Sequence, residues 1–427
     1  MRPPAVVSNL VWAMIFSLAF MQPAIPLLGY ITVPTDFLFV ALCLAWLWAL
    51  GTGRSAFTWD KAFGWLALYF AAVLASVIAS DSPMRSAPAL LKNLYLLSLP
   101  VIIVNLVRTR DDFRTAIQWW LAGSAVVALV GAASLALFLV DPASPLLDYT
   151  RFHFGTLPPG NYPRLQLTFF NANMACNYLT VSLVLLLVAR RLDWVGRRLF
   201  AWLLAGFVLS AALTLSPGLG GIVLAIGVWV WLLERKRRPA LATMVLWGSL
   251  LASLLFVVAM AVTPIIHPTA PFLIQLPLGI ELAPAGRLMI WIDAVRNFIA
   301  DPLLGRGIGM DPVEVRYLSP SGDLQTLTEA HNSFLNIAVQ CGIVGLAALT
   351  ALVVFVLRRS LPLRLLPGDR NVAIVGLGLA FLVAFGYEGL GGSFEDARHL
   401  WVLFGLFVVA WNLDSPDDPP QRTVQTD

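Results

Sequence analysis

EAHNSFLNIAVQCGIVGLAALTALVVFVL, residues Glu329–Leu357, is the stretch on which the class of this chain turns. A short polar motif, Glu329-Ala330-His331-Asn332, abuts a run from Ser333 to Leu357 that contains no charged residue. At 1.5 Å per residue such a run is long enough to cross a hydrocarbon core about 30 Å thick. The rest of the chain has the same character. Hydrophobic residues make up 59% of it and charged residues 12%, against roughly 45–50% and 25% in a soluble domain. Mean hydropathy is +0.81. Segments that cross a bilayer must pair their own backbone groups, as helices or as a closed barrel. The apolar runs lack the period-2 alternation of barrel strands, so helices are expected.

Apolar runs long enough to span fall at about 6–28, 35–50, 62–80, 88–107, 116–140, 173–189, 199–215, 218–233, 240–263, 333–357, 371–388 and 397–412. The expected fold is therefore all-α: a polytopic membrane protein with about twelve transmembrane helices. Residues 1–412 form one integral membrane domain, and 413–427 a disordered cytoplasmic tail. Val6–Leu28 follows a single arginine and has no small-residue cleavage site, so it is expected to stay as the first span.

Nineteen of the twenty-eight basic residues sit at alternate connections, chiefly Arg108/Arg110/Arg114, Arg190/Arg191/Arg197/Arg198, Arg235–Arg238 and Arg358/Arg359/Arg364/Arg370. The positive-inside rule puts that side, and both termini, in the cytoplasm. It also accounts for the net charge of +4 without nucleic acid. Nine basic residues remain outside: Arg85, Lys92, Arg151, Arg164, Arg287, Arg296, Arg306, Arg316 and Arg398. Two long connections, about 141–172 and 263–332, also lie outside, and connections of that length are often functional. Within the second, AGRLMIWIDAVRNFIA (Ala285–Ala300) places Leu288, Trp291, Ile292, Val295 and Ile299 on one face at helical spacing. This is an amphipathic helix for the outer interface or the roof of a cavity.

The groups able to do chemistry gather on that outer side. His331 is a candidate general base, since imidazole titrates near neutrality and Glu329 is a carboxylate near enough in sequence to orient it. The plainer reading makes His331 a polar residue at a helix start, capped by Thr328 or Asn332. Arg287 offers a guanidinium fork for phosphate oxygens, or else an arginine snorkelling to the interface. Arg164, in YPRLQLTFFNAN, carries the same two readings. Asn171, Asn173 and Asn177 suit sugar hydroxyls or helix capping. In GYEGLGGSFEDARHLW, Ser393 and Asp396 form a credible capping box for the last span. That leaves Glu388, Glu395, Arg398 and His399 to be explained.

Other chemistries find no support in the sequence. There is no GxxxxGK[ST] loop, GRGIGM does not follow a strand, and no HExxH or outer DxD pair occurs. Cys43, Cys176 and Cys341 are odd in number and lie within apolar runs, which argues against a disulfide framework or a zinc site. No cofactor or metal is expected. ATP and nucleotide sugars are mainly cytoplasmic, so the substrate is expected to arrive already activated in the membrane.

The chain resembles the O-antigen ligase and O-antigen polymerase superfamily, bacterial envelope glycosyltransferases of GT-C-like fold. The likeness rests on RLQLTFFNANMACNYL, the turn TLSPGLGG, GRLMIWIDAVRNFIADPLLGRGIGM, EAHNSFLNIAVQCGIVGL and ARHLWVLFGL, in that order. It implies metal-independent, inverting transfer of a glycan from undecaprenyl pyrophosphate to an acceptor hydroxyl, at the periplasmic face of the bacterial inner membrane. The acceptor would be the lipid A core, for a ligase, or a growing glycan, for a polymerase. It further implies His331 as base and Arg287 on the pyrophosphate, with Arg164, Arg398, Glu329, Asn332, Asn173 and Glu395 as substrate-binding candidates. Two features depart from the family pattern. The usual Ser-Arg-Gly turn is Ser216-Pro217-Gly218, and Asn-Pro-Asn is Asn171-Ala172-Asn173. The missing arginine leaves one pyrophosphate contact for Arg164 or Arg398 to supply. A transporter of lipid-linked glycan would instead show internal repeats and Gly/Pro-broken helices near mid-membrane. The sequence shows neither. A non-catalytic scaffold would have no use for the outer Arg, His and Glu residues.

Overall fold

The computed structural model describes residues 3–27, 30–151, 164–262, 274–276, 280–282, 287–318, 324–361 and 368–413. The expected tail beyond Leu413 and much of the two long connections lie outside the described residues. The helices are α1 (Ala5–Ser17), α2 (Pro34–Gly51), α3 (Phe63–Ala79), α4 (Pro83–Leu106), α5 (Arg110–Val140), α6 (Ala172–Arg191), α7 (Arg197–Leu213), α8 (Leu219–Glu234), α9 (Pro239–Val262), α10 (Arg287–Ala300), α11 (Ser333–Ser360), α12 (Asp369–Phe381) and α13 (Arg398–Asn412). A π turn, Leu382–Tyr387, and a 3-10 turn, Glu388–Leu390, carry α12 onward. Sheet among the described residues is confined to three short antiparallel hairpins.

The fold is all-α, as expected. Among the described residues, seven helices are long and apolar enough to cross a membrane: α2, α4, α5, α6, α9, α11 and α12 with its extension. The remaining expected spans coincide with α1, α3, α7, α8 and α13, each of 17 residues or fewer.

Burial separates the centre of the bundle from its rim. The spanning windows of α6 and α12 are 83% and 72% buried, whereas those of α2 and α9 are 22% and 17%. On α13 every residue from His399 to Ala410 is buried. Lipid tails are as apolar as leucine, so close packing and polar contacts hold such helices together. Gly405 illustrates this: a Cβ there would stand 2.9 Å from the Pro100 and Ile103 carbons of α4.

The α11 helix departs from one straight span. Gly342 has φ 65° and ψ −166°, which breaks the helix after nine residues. The displaced backbone groups are satisfied by the loop that follows α10. Ile343 N donates to Pro302 O (2.8 Å), Arg306 N to Val339 O (3.1 Å) and Gly307 N to Gln340 O (2.9 Å). An added Cβ at Gly342 would lie 2.1 Å from Leu303 O. Apolar patterning gives no sign of this break, which lies near one end of the span rather than at its middle. The break serves packing, because irregular backbone at membrane depth is tolerated where protein covers it. From Ile343 to Ser360 the helix is about 27 Å long, the depth of a hydrocarbon core.

On α10 the protein-facing side is Arg287, Ile290 and Ala294, while Ile292, Val295 and Ile299 from the expected apolar stripe are exposed, as the outer-interface alternative requires. In a membrane protein an apolar stripe has a second outlet, the lipid interface. The capping box proposed at Ser393 and Asp396 fails. Ala397 is the N-cap of α13 and makes no side-chain cap bond. Ser393 Oγ accepts from Asn336 Nδ2, and Asp396 pairs with Lys92.

Candidate active site

The helix directions bring the start of α6, the end of α7, the start of α8, α10, the start of α11, the end of the α12 extension and the start of α13 to one end of the bundle. The arginine clusters at Arg190/Arg191, Arg197/Arg198, Arg235–Arg238 and Arg358/Arg359 mark the opposite end.

His331 lies one residue before Asn332, the N-cap of α11. Asn332 Oδ1 accepts from Phe334 N (3.0 Å) and Leu335 N (3.1 Å), and its Nδ2 donates to Leu390 O (3.2 Å). The capping reading thus belongs to Asn332 and leaves His331 unaccounted for. His331 adopts φ 48°, in the left-handed region, where a non-glycine residue costs of order 1–3 kcal/mol and persists only where its surroundings impose it. Its ring Nδ1 is 3.9 Å from Glu329 Oε2, beyond hydrogen-bond distance. Burial, and after it the Arg287 charge, lowers the His331 pKa to about 4. The ring is therefore neutral at physiological pH and able to accept a proton.

Arg287, the first residue of α10, is buried and donates Nη1 to Gly391 O. Burial lowers its pKa to about 10, with the Arg164 charge as the second cause. It remains a cation at neutral pH. Arg164 donates Nε to Thr214 O (3.2 Å), directly over the turn in which Pro217 stands. Three groups picked from distant parts of the sequence, His331, Arg287 and Arg164, are thus electrostatic neighbours.

Arg398 is placed differently. Its Nε and Nη2 meet Asp36 Oδ1 (2.8 Å) and Oδ2 (2.9 Å), and Tyr95 lies 3.1 Å away. Several other outer cations are similarly held: Arg85 by Asp311, Lys92 by Asp396, Arg306 by Asp301 and Arg316 by Glu314. Glu395 is buried and accepts from Asn336 Nδ2 (2.7 Å). Burial, and next the Asp396 charge, pushes its carboxyl pKa upward.

Beside Arg287's anchor at Gly391 lies a narrow cleft lined by Asn173, Ser216, Gly218, Tyr387 and Glu388. Asn173 Oδ1 accepts from Ser216 Oγ (2.9 Å). Asn171 caps α6, its side chain accepting from Asn173 N (2.7 Å). Glu388 accepts from Thr180 Oγ1 (2.6 Å) and Asn177 Nδ2 (2.8 Å), and Asn177 Oδ1 lies 2.8 Å from His399 Nε2. The sequence left Glu388 unexplained and offered Asn177 as a sugar-hydroxyl contact or helix cap. Nothing in it linked them, since the two are 211 positions apart. Ser216 and Tyr387 were missed.

Comparison with known proteins adds one finding. Residues 199–350 match a family model described as O-antigen ligase. That match supports the O-antigen ligase and polymerase superfamily for this chain. The matched residues include Arg287, His331 and the turn at Pro217. The kind of activity it supports is O-antigen ligase or polymerase transfer, in a membrane setting. No curated protein matches the chain.

Proposed function

We propose that this protein transfers a glycan from undecaprenyl pyrophosphate to an acceptor hydroxyl at the periplasmic face of the bacterial inner membrane. The observation that carries the proposal is a neutral, strained His331 within the field of Arg287, which in turn stands in the field of Arg164. A base and two cations are what this reaction requires. His331 takes the acceptor's hydroxyl proton as the acceptor oxygen bonds to the anomeric carbon. The bond from that carbon to the pyrophosphate oxygen breaks on the opposite face, which inverts the centre. The leaving group needs charge stabilisation rather than a proton, and fixed guanidinium groups supply it. Arg164, anchored at Thr214, provides the cation that the turn lacks at Pro217. Asn173, Asn332 and Glu329 remain as contacts for glycan or acceptor hydroxyls.

The test uses purified protein, a lipid-linked glycan donor and chelator throughout. Transfer that His331→Ala abolishes supports the proposal, and an active His331→Ala overturns the base. A need for a divalent ion overturns the metal-free mechanism. The absence of the turn arginine favours a second reading, polymerisation of lipid-linked repeats. Offering lipid A core and lipid-linked repeat as alternative acceptors separates the two.

A further inference from the structure

We propose that Asn336 and Trp291 are positioning residues for His331: together they clamp the Ala330 peptide, with Glu395 holding Asn336 in place. This deepens the proposed function and rests on His331 being the base. Ala330 precedes His331 directly and is fully buried. Trp291 Nε1, from α10, donates to Ala330 O at 3.1 Å. Asn336 Oδ1, from the first turn of α11, accepts from Ala330 N at 3.0 Å. One residue thus has both backbone polar groups bonded to side chains of two different helices. Asn336 is itself fixed, its Nδ2 donating to Ser393 Oγ (2.9 Å) and Glu395 Oε1 (2.7 Å).

The physical need for the clamp is the left-handed backbone of His331, which relaxes unless the flanking peptides are held. The chemical need is geometric. A general base works within hydrogen-bond reach of the proton it takes, and a misplacement of about 1 Å can cost 10²-fold. Neither Asn336 nor Trp291 has to touch substrate to matter. Asn336 also explains why Glu395 is buried behind the site: it is the acceptor that keeps the amide from turning over.

The experiment is a double-mutant cycle on the full-length protein, with lipid-linked glycan donor, acceptor and a radiolabel sensitive enough to read residual transfer. Asn336→Ala is expected to lower kcat about 10–100-fold, with donor KM unchanged. In the His331→Ala background the same change is expected to have no further effect, because nothing is left to position. Trp291→Phe, which keeps the ring and removes the donor from a different helix, is expected to follow the same pattern more weakly. Glu395→Gln, which still offers an acceptor to Asn336 Nδ2, is expected to retain most of the rate that Glu395→Ala loses. Elution as a single species and an unshifted Tm for at least one of Asn336→Ala and Trp291→Phe exclude misfolding. An equal loss from Asn336→Ala in both backgrounds, or a loss expressed only in KM, overturns the positioning role and leaves the base standing. A fully active His331→Ala removes the base and the positioning role together.

Discussion

His331 and His399 each stand at the start of a helix at the same end of the bundle, and their surroundings are opposite. His399 is 3% exposed. Its Nε2 meets Asn177, which is bonded in turn to Glu388 and Ala384, and its ring lies edge-on to Tyr178 at 5.5 Å. His331 keeps 30% of its side chain exposed, holds Glu329 only at 3.9 Å and lies in the field of a buried arginine. The first histidine ties α6, α13 and the end of the α12 extension together. The second is held by its backbone while its ring stays accessible. On the proposed function, two residues of one type divide between architecture and chemistry according to how many of their polar atoms the fold engages.

The largest expected effect separates the two directly. His331→Ala should reduce transfer by about 10²–10⁴-fold while leaving the unfolding temperature nearly unchanged, measured by steady-state transfer and a thermal melt of the same preparation. If its melting temperature falls as far as its activity, the comparison collapses and His331 is structural too.

Arg287→Ala follows. Removing one pre-organised charge from the leaving group should cost about 10²–10³-fold and should weaken donor binding as well, since the cation also contacts the bound pyrophosphate before reaction. It should also move the pH profile in a known direction. Burial and Arg287 place the His331 pKa at about 4, below the ordinary 6.5, so the unprotonated base persists and the acid limb of kcat/KM lies near pH 4. Without Arg287, one cause of the depression is gone and the limb should move up toward 6.5, with Glu329 pulling the same way. An acid limb that stays in place in Arg287→Ala shows that the two groups do not communicate.

His399→Ala should show the reverse pattern. It leaves the buried Asn177 oxygen without its partner, a loss of about 1–3 kcal/mol visible as a lower unfolding temperature, while the folded protein keeps most of its activity. A deep loss of kcat at unchanged stability would give His399 a chemical role. The smallest effect belongs to the outer ion pairs. Arg85 and Asp311 are 61% and 51% exposed along their side chains, and Arg85→Ala should change stability by less than about 1 kcal/mol and transfer hardly at all. A large loss of activity there would give Arg85 a part in the donor site.

Much of this was legible in the residues. The helices follow from long apolar runs, and the N-caps at Thr109, Asn171 and Asn332 follow from short polar side chains placed just before them. His331, Arg287 and Arg164 could be singled out because scarce ionisable groups among apolar ones cost free energy to keep. The glycine break in α11 was not legible, since Gly342 sits in a run that reads as helix throughout. It depends on the Pro302–Leu303 carbonyls arriving from a loop some forty positions earlier. The stripe of α10 was legible only in part for a related reason: periodicity gives the apolar face of a helix but not whether lipid or protein receives it.

By itself, then, the sequence determined the solvent the chain lives in, the helices that cross it and a short set of candidate groups, because each of these depends on composition and local spacing. Tertiary structure decided which candidates lie together. Arg398 and Arg287 are both outer arginines next to apolar helices, yet one closes on Asp36 and the other stands beside His331. Asn336 looks like an ordinary polar residue in a span until the Ala330 peptide and Glu395 are brought to it. Charge pairing and hydrogen bonding fall off within a few ångströms, and only the folded chain sets distances that short between residues far apart in sequence.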